Sequence, residues 1–339
     1  MELGVSISTI GRALANDPRI SAETKARVLK AAERAGYVGN TPARMMRGGT
    51  SNLVGLVLPD VRNDFYAQIA QALSESCDRE GQRLVLAITA DDRDIEARHI
   101  RELTSARVSG VIIVPTASPR RDSVRMLQGL AHVQLLRRSP SLGDVWFGID
   151  DEVALFEATK HLIELGHRRI AYIGGEESHS TGASRLSGFR RAFKTLGLSL
   201  DKAVISLGPT TSAFGFAATE RLLASPKGPT AIVTASVHIT LGLIEAVEKL
   251  HVPVPERISV VGFGDPAWYQ WWRGGLTTIR PPVKELATTC GLWFLHRLRT
   301  KVDPRTWEGH SAVVNSNLIL RASTKRFENA SVRRAASPK

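Results

Sequence analysis

Residues 53–58 read Leu-Val-Gly-Leu-Val-Leu, and a stretch of helical period follows them from about residue 64 to residue 80. One side of that stretch is apolar, with Phe65, Ile69, Leu73 and Cys77 at helical spacing. A strand that is apolar along its whole length is typical of a parallel sheet that helices cover on both faces. This part of the sequence therefore predicts an α/β fold.

The alternation of apolar runs and helical stretches continues along the chain in two series. The first series predicts further strands at 83–88, 111–114 and 132–136, and a helix at about 91–106. The second series begins after 147–149 and predicts strands at 169–173, 203–205, 231–234 and 258–261, followed by a helix at about 283–299 and a last strand at 312–319. Two parallel, doubly wound sheets are expected, one in each of two lobes.

Domain boundaries follow from these patterns. We expect the core to span 51–326, with a first lobe of about 51–150 plus 281–326 and a second lobe of about 151–280. Residues 327–339 have no apolar periodicity and are predicted to be a disordered tail.

Residues 1–50 contain only helical periods, each preceded by a capping residue: Ser6 before 7–14, Ser21 before 22–35, and Asn40 before 42–47. The chain carries a net charge of +12, and this segment has eight basic and four acidic side chains. A small, basic, all-helical N-terminal domain is therefore expected.

Several classes of function are disfavoured by the sequence. We find no glycine-rich dinucleotide motif, Walker motif, nucleophile elbow or HExxH zinc motif, so no catalytic residues, no enzyme and no cofactor are expected. The only cysteines, Cys77 and Cys290, lack metal-ligand spacing, so neither a metal site nor a disulfide is expected. No apolar run is long enough for a membrane span and no signal peptide is evident, which favours a cytoplasmic protein without a membrane partner.

The N-terminal segment suggests a function. In residues 4–14 a glycine turn precedes a helix whose first turn is rich in Ser and Thr, and such short side chains allow close approach to DNA. This segment, with Asn-Asp-Pro-Arg-Ile-Ser at 16–21, closely resembles the headpiece of the lactose-repressor (LacI/GalR) family of bacterial transcription regulators. Further matches at 107–112, 166–171 and 276–279 extend the resemblance along nearly the whole chain.

The resemblance implies a helix-turn-helix headpiece, a hinge helix and a periplasmic-binding-protein-like core. It places operator-DNA contacts at Ser6, Ser8, Thr9, Arg12, Asn40, Arg44 and Met46, the last in place of the leucine that the family inserts between base pairs. Three features depart from the family: nearly all of the first headpiece helix is missing before Gly4, Gly11 replaces a serine, and Gly39 replaces a proline. The headpiece is therefore expected to be truncated, and Gly11 should weaken its helix by roughly 0.5–1 kcal/mol.

The resemblance also implies an effector cleft between the lobes. It places effector contacts at Asn63, Phe65, Tyr66, His179, Thr181, Arg185, Ser236, Asp265 and Trp268. Core packing is the alternative for Phe65, and a dimer face is the alternative for Trp268. Because Gly264 stands where the family commonly has an aspartate beside Arg185, a positive cleft is expected, which favours a sugar acid or a phosphorylated sugar.

The sequence thus predicts a homodimeric repressor that binds double-stranded operator DNA and whose affinity for DNA is controlled by a sugar-like effector. The alternative is a cytoplasmic sugar-binding protein that cannot bind DNA because its headpiece is truncated.

Overall fold

The computed structural model describes residues 4–14, 17–35, 51–62, 64–300, 302–307 and 309–327. The chain divides into two compact units, Met1–Ser51 and Asn52–Lys339. Four of the expected site residues lie outside the described residues: Asn40, Arg44, Met46 and Asn63. The predicted hinge helix at 42–47 lies outside them as well.

The described part of the first unit has two helices, α1 (Ile7–Leu14) and α2 (Ala22–Arg34), which pack against each other. The predicted caps of both helices are confirmed, because Ser6 Oγ accepts from the Thr9 amide at 3.2 Å and Ser21 Oγ accepts from the Thr24 amide at 3.3 Å. Burial in this unit centres on Ala13 of α1 and Val28 of α2.

The second unit contains two six-stranded sheets. The strands of the first sheet lie in the order β11-β5-β4-β3-β1-β2, and all neighbouring pairs are parallel. Their bounds are β1 Leu53–Leu58, β2 Arg83–Ile88, β3 Gly110–Ile113, β4 His132–Leu135, β5 Trp146–Ile149 and β11 Ser311–Val314. The helices of this first lobe are α3 Asp64–Arg79, α4 Arg93–Ser105, α5 Arg121–Gln128 and α10 Val283–Thr300.

The second sheet has the order β12-β10-β9-β8-β6-β7. Its strands are β6 Ile170–Gly175, β7 Val204–Gly208, β8 Ala231–Thr234, β9 Ser259–Phe263, β10 Thr277–Arg280 and β12 Asn317–Ile319. The helices of this second lobe are α6 Asp151–Glu164, α7 Ser180–Thr195, α8 Ser212–Ala224 and α9 Val237–Lys249. Two doubly wound lobes are thereby confirmed, and only β12 runs antiparallel to its neighbour.

The single strand predicted at 312–319 is wrong. Val314 pairs with Ile149 in the first lobe, whereas Asn317 pairs with Arg280 in the second. The polar residues 315 and 316 interrupt the apolar pattern, and the chain crosses between the lobes there. Residues 317–326 therefore belong to the second lobe and not, as expected, to the first.

Phe327, the first residue of the predicted disordered tail, is ordered, whereas the rest of that tail, 328–339, lies outside the described residues. The Phe327 amide donates to the Leu165 carbonyl oxygen at 2.8 Å, and the Phe327 ring lies 5.5 Å from the His167 ring. Phe327 is thus held against the second lobe by a hydrogen bond and a ring contact that the sequence pattern does not reveal.

Candidate ligand-binding cleft

A cavity lies between the two lobes at the carboxyl ends of their strands, where open α/β sheets usually bind ligands. The segments after β1, β2 and β4 and the start of α3 line it from the first lobe, and the segments after β7 and β8, helix α7 and the end of β9 line it from the second. It encloses about 590 Å³, part of it open to solvent. Its lining residues are Pro59, Asp60, Phe65, Tyr66, Asp91, Leu136, Arg137, Thr181, Arg185, Thr210, Ser236, Val237, His238 and Phe263.

The first lobe contributes an ion pair between the buried Arg137 and the half-buried Asp91. Arg137 Nη2 donates to Asp91 Oδ2 at 3.1 Å, and Arg137 Nη1 donates to Asp91 Oδ1. Asp91 and the preceding Ala90 both have positive φ, at 60° and 51°, a backbone conformation that is uncommon outside glycine and is often found at functional sites. Tyr66 lies near this pair, and burial raises the pKa of its phenol. The phenol therefore stays protonated at neutral pH and can donate a hydrogen bond.

The second lobe contributes a matching pair. Arg185 Nε donates to Asp151 Oδ1 at 2.7 Å, and Arg185 Nη1 donates to the Ala235 carbonyl oxygen at 2.7 Å. The guanidinium also lies over the Phe263 ring, 4.1 Å from its centroid. Asp151 is only 4% exposed, and burial raises the pKa of its carboxyl while the Arg185 charge opposes that rise. The pair is thus fixed by packing as well as by charge.

Several close approaches between the lobes surround the cavity. The Arg138 amide donates to Ser180 Oγ at 2.9 Å, and the rings of Phe65 and Phe263 are 6.4 Å apart. Two histidines of the second lobe also face carboxylates of the first: His179 Nε2 lies 3.9 Å from Asp91 Oδ1, and His238 Nδ1 lies 4.0 Å from Asp60 Oδ2. Because both lobes contribute to the Arg138–Ser180 hydrogen bond and to the Phe65–Phe263 ring contact, these two interactions favour a closed cleft.

His179 is neutral in this arrangement at neutral pH. Burial lowers the pKa of its imidazole, and the nearby Arg137 charge lowers it further. Its Nε2 is buried and has no hydrogen-bond partner among the described residues. A ligand hydroxyl within reach could therefore satisfy this atom.

The structure brings most of the described effector candidates together. Phe65, Tyr66, Thr181, Arg185 and Ser236 all line the cavity. Core packing, the alternative for Phe65, is also present, since Phe65 packs against the cores of both lobes. His179 lies beside the lining residues, at the start of α7, and contacts Asp91.

Asp265 and Trp268 do not line this cavity, although Asp265 lines a neighbouring hollow that shares Phe65 and Val237 with it. Asp265 is held by Arg321 through two hydrogen bonds of 2.7 and 2.9 Å. Trp268 packs edge-on against Tyr269, 4.5 Å between centroids, beside a core cluster of the second lobe. Gly264, directly before Asp265, has a φ of +81°, and a Cβ there would lie 2.5 Å from Val237 Cγ2, so both the backbone turn and the space require glycine.

The expected positive cleft also needs correction. The lining contains two arginines, Arg137 and Arg185, but also the carboxylates of Asp60 and Asp91. Each arginine is paired with a carboxylate, since Asp151 lies behind Arg185. The charge argument for an acidic effector therefore does not hold.

Sequence reasoning missed six polar residues of the site: Asp60, Asp91, Arg137, Asp151, Thr210 and His238. Most of them follow a predicted strand by one to four residues, or begin the next helix. Because ligands bind at the carboxyl ends of parallel strands, that position was the signal that could have found them.

In the first unit, the described DNA-binding candidates are Ser6, Ser8 and Thr9 at the start of α1 and Arg12 in its last turn. Ser6, Ser8 and Arg12 are exposed and Thr9 is half-buried. Ser6 Oγ lies 2.8 Å from Ser8 Oγ and 2.9 Å from Thr9 Oγ1, so the three hydroxyls form one cluster at the helix N-terminus. Hydroxyl groups in this position suit contacts with phosphates and base edges.

The fold and the cavity define the class of the second unit, a two-lobed binding core of the periplasmic-binding-protein type. A sequence model of a periplasmic binding protein-like domain matches residues 159–324, and a model of the bacterial regulatory proteins of the lacI family matches residues 2–40. No helix in the described part of the chain is long and apolar enough to cross a membrane.

Individual proteins agree with both matches. The transcriptional regulator DegA of Bacillus subtilis is 30% identical over 288 residues, which cover 84% of this chain and 85% of DegA. The transcriptional repressor CytR of Escherichia coli K12 is 27% identical over 322 residues, covering 95% and 93%. The crystal structure of the Lac repressor dimer bound to operator and the anti-inducer ONPF has a TM-score of 0.80 at 24% identity, covering 95% of this chain and 96% of that one.

The chain belongs to the LacI family of bacterial transcription regulators. The resemblance deduced from its sequence is thereby confirmed.

Proposed function

We propose that this chain is a transcription repressor whose affinity for operator DNA is set by a small, sugar-like molecule in the cleft. The observation that carries the proposal is the pair of Arg–carboxylate groups, Arg137 with Asp91 and Arg185 with Asp151, that the two lobes place at one cavity. A ligand that binds between two lobes can regulate a protein if closure of the lobes changes the affinity of a second binding site.

For DNA, the proposal uses the hydroxyl cluster at the start of α1 and Arg12 in the last turn of that helix. Ser6, Ser8, Thr9 and Arg12 would contact phosphates and base edges in the major groove. Asn40, Arg44 and Met46 would act in the minor groove as a hinge element. A homodimer would place two such headpieces on a pseudo-palindromic operator. Related proteins support this part, since DegA and CytR are named as transcriptional regulators and the Lac repressor was crystallised as a dimer on its operator.

For the effector, the proposal favours a neutral, polyhydroxyl molecule. A hydroxyl group both donates and accepts, and an Arg–carboxylate pair offers one partner of each kind. Thr181 and Ser236 add hydroxyls, and the rings of Phe65 and Phe263 add apolar surface for the carbon face of a sugar. Because the two arginines are already paired, a charged ligand gains less here than it would beside an unpaired arginine.

The coupling follows from the contacts between the lobes. A ligand that bonds to both Arg–carboxylate pairs can do so only when the lobes are close together. It therefore favours the closed state by its extra affinity for that state. Closure would then alter the placement of the headpieces and, with it, the affinity for operator DNA.

DNA binding is tested by fluorescence-anisotropy titration with the DNA upstream of the gene, at several salt concentrations. The affinity should fall steeply with rising salt, because phosphate contacts release counterions. An Arg12→Ala variant should bind more weakly and reduce the salt slope by about 1, whereas Arg79→Ala, an exposed arginine of α3, should leave both unchanged. The absence of salt-sensitive DNA binding would favour the alternative of a sugar-binding protein without DNA binding, and equal effects of the two variants would contradict the role of Arg12.

A further inference from the structure

The second lobe has another cavity, at the amino ends of its strands and thus at the opposite end of the sheet from the cleft. Arg169 directly precedes β6, Lys202 lies two residues before β7, and Thr230 directly precedes β8. Gly166, Arg168 and Phe327 complete the lining. The cavity encloses about 990 Å³, part of it open to solvent, and shares no lining residue with the cleft.

Three of the six lining residues are cations and none is acidic. Among the described residues, no carboxylate forms an ion pair with Arg168, Arg169 or Lys202. Other arginines of the same lobe do pair with carboxylates, namely Arg185, Arg190, Arg191, Arg273, Arg280 and Arg321. Arg168, Arg169 and Lys202, all of them exposed, thus bring three positive charges to a cavity that has no carboxylate among its described lining residues, and this charge pattern attracts an anion.

The two guanidinium groups are anchored by backbone carbonyls. Arg168 Nη1 donates to the Ile163 oxygen at 2.8 Å and to the His167 oxygen at 3.0 Å, and Arg169 Nε donates to the Gly228 oxygen at 3.1 Å. Anchoring reduces the side-chain entropy that is lost when a ligand binds. It also leaves further N–H groups of both arginines as donors, and guanidinium groups match the geometry of phosphate oxygens.

One wall of the cavity is aromatic. Phe327 is 36% exposed, its ring lies 5.5 Å from the buried His167 ring, and its amide is hydrogen-bonded to Leu165. A flat apolar surface beside three cations suits a ligand that has a ring as well as anionic groups. The size of the cavity likewise allows more than a single phosphate ion.

We propose that this cavity binds a small molecule that carries two or more phosphate groups next to a flat ring, that is, a ligand of the nucleoside polyphosphate class. The phosphates contact Arg168, Arg169 and Lys202, and the ring lies against Phe327. The site is independent of the cleft and of the effector proposed there.

Calorimetric titration of the full chain tests this proposal, with inorganic pyrophosphate and ATP as probes at low salt and without divalent cations. One site per chain should bind both probes, and ATP should bind more tightly because of the ring contact. An Arg169→Gln/Lys202→Gln variant should weaken pyrophosphate binding by about tenfold or more, since each charge-assisted hydrogen bond contributes strongly. A matched variant with the same charge change on the same lobe, Lys194→Gln/Arg221→Gln, should stay within about twofold of wild type.

Three further measurements make the result decisive. Lys202→Gln alone should also weaken binding, and this variant removes no hydrogen bond of the described structure. Phe327→Ala should reduce ATP binding to the level of pyrophosphate. The cleft variant Arg185→Met/Asp151→Asn should bind both probes as wild type does. No pyrophosphate binding at about 1 mM, which corresponds to only about −4 kcal/mol, or equal weakening in the site and matched variants, would overturn the proposal.

Discussion

The buried pair of Arg185 and Asp151 allows a prediction that separates its structural role from its role in ligand binding. Arg185→Met removes the charge but keeps most of the side-chain volume, and it leaves the Asp151 carboxylate buried without its partner. Breaking a buried pair in this way costs about 3–5 kcal/mol of the free energy of unfolding. Asp151→Asn should cost less, about 1–3 kcal/mol, because Arg185 keeps its bond to the Ala235 oxygen and its contact with the Phe263 ring.

The double variant, Arg185→Met/Asp151→Asn, should lose less stability than the two single losses added together, by about 1.5 kcal/mol or more. This double variant no longer contains an uncompensated buried charge. The assay is urea unfolding of wild type and the three variants, followed by tryptophan fluorescence.

The pH dependence provides a second check on the same pair. Burial raises the pKa of the Asp151 carboxyl, and loss of Arg185 removes the charge that opposes the rise. In Arg185→Met the folded state therefore holds this proton more tightly than the unfolded state, whose pKa is about 3.9, so that stability falls as the pH rises through this range. The penalty of Arg185→Met should be smaller at about pH 4.5 than at about pH 7.5. If the stability losses of the two single variants add up in the double variant, and the penalty of Arg185→Met does not vary with pH, then Arg185 and Asp151 do not act as a coupled pair.

Three other predictions concern the fold. Burial lowers the pKa of His167 below its usual 6.5, so the fold loses stability as the pH falls below about 6.5, by at most about 1.4 kcal/mol per pH unit for this group. His167→Asn should lower the thermal midpoint at about pH 7.5 but make the decline towards about pH 5.5 shallower; parallel curves would contradict this. Gly242→Ala should destabilise the second lobe by about 1–3 kcal/mol or more, because a Cβ there meets the Ser212 oxygen where α8 and α9 cross. Gly11→Ala, which meets nothing within 4 Å, should instead stabilise α1 by about 0.5–1 kcal/mol, seen as increased helix content of the isolated segment 1–51.

Much of the fold could be predicted because its strands are buried on both faces. A run such as residues 53–58 is apolar throughout, and the observed strand has these same bounds. The predicted strand at 312–319 fails because hydrophobicity shows that a segment is extended but not which sheet it joins. The partners that decide this, Ile149 and Arg280, are far away in the sequence.

Site residues could be predicted only where the side chain lies near a strand end and the resemblance to the LacI/GalR family places an effector contact at that position, as for Phe65 and Arg185. Asp265 was misplaced because its direction depends on the left-handed turn at Gly264 and on the distant Arg321. The Asp91–Arg137 pair was missed because its two members are 46 residues apart and meet only after the sheet has formed.

In the proposed mechanism, a molecule bound between the lobes changes the affinity for DNA. Neutral monosaccharides, the corresponding sugar acids and sugar phosphates are first screened for an increase in the thermal midpoint of wild type. The anisotropy titration with upstream DNA is then performed with and without the compound that binds, for wild type and for Arg185→Met/Asp151→Asn. The compound should shift the wild-type dissociation constant for DNA by about tenfold, which is a coupling free energy of about 1.4 kcal/mol. The variant should retain its own affinity for DNA, and the compound should not change that affinity. An equal shift in both proteins, or a bound compound that leaves the wild-type affinity unchanged, would contradict the proposed mechanism.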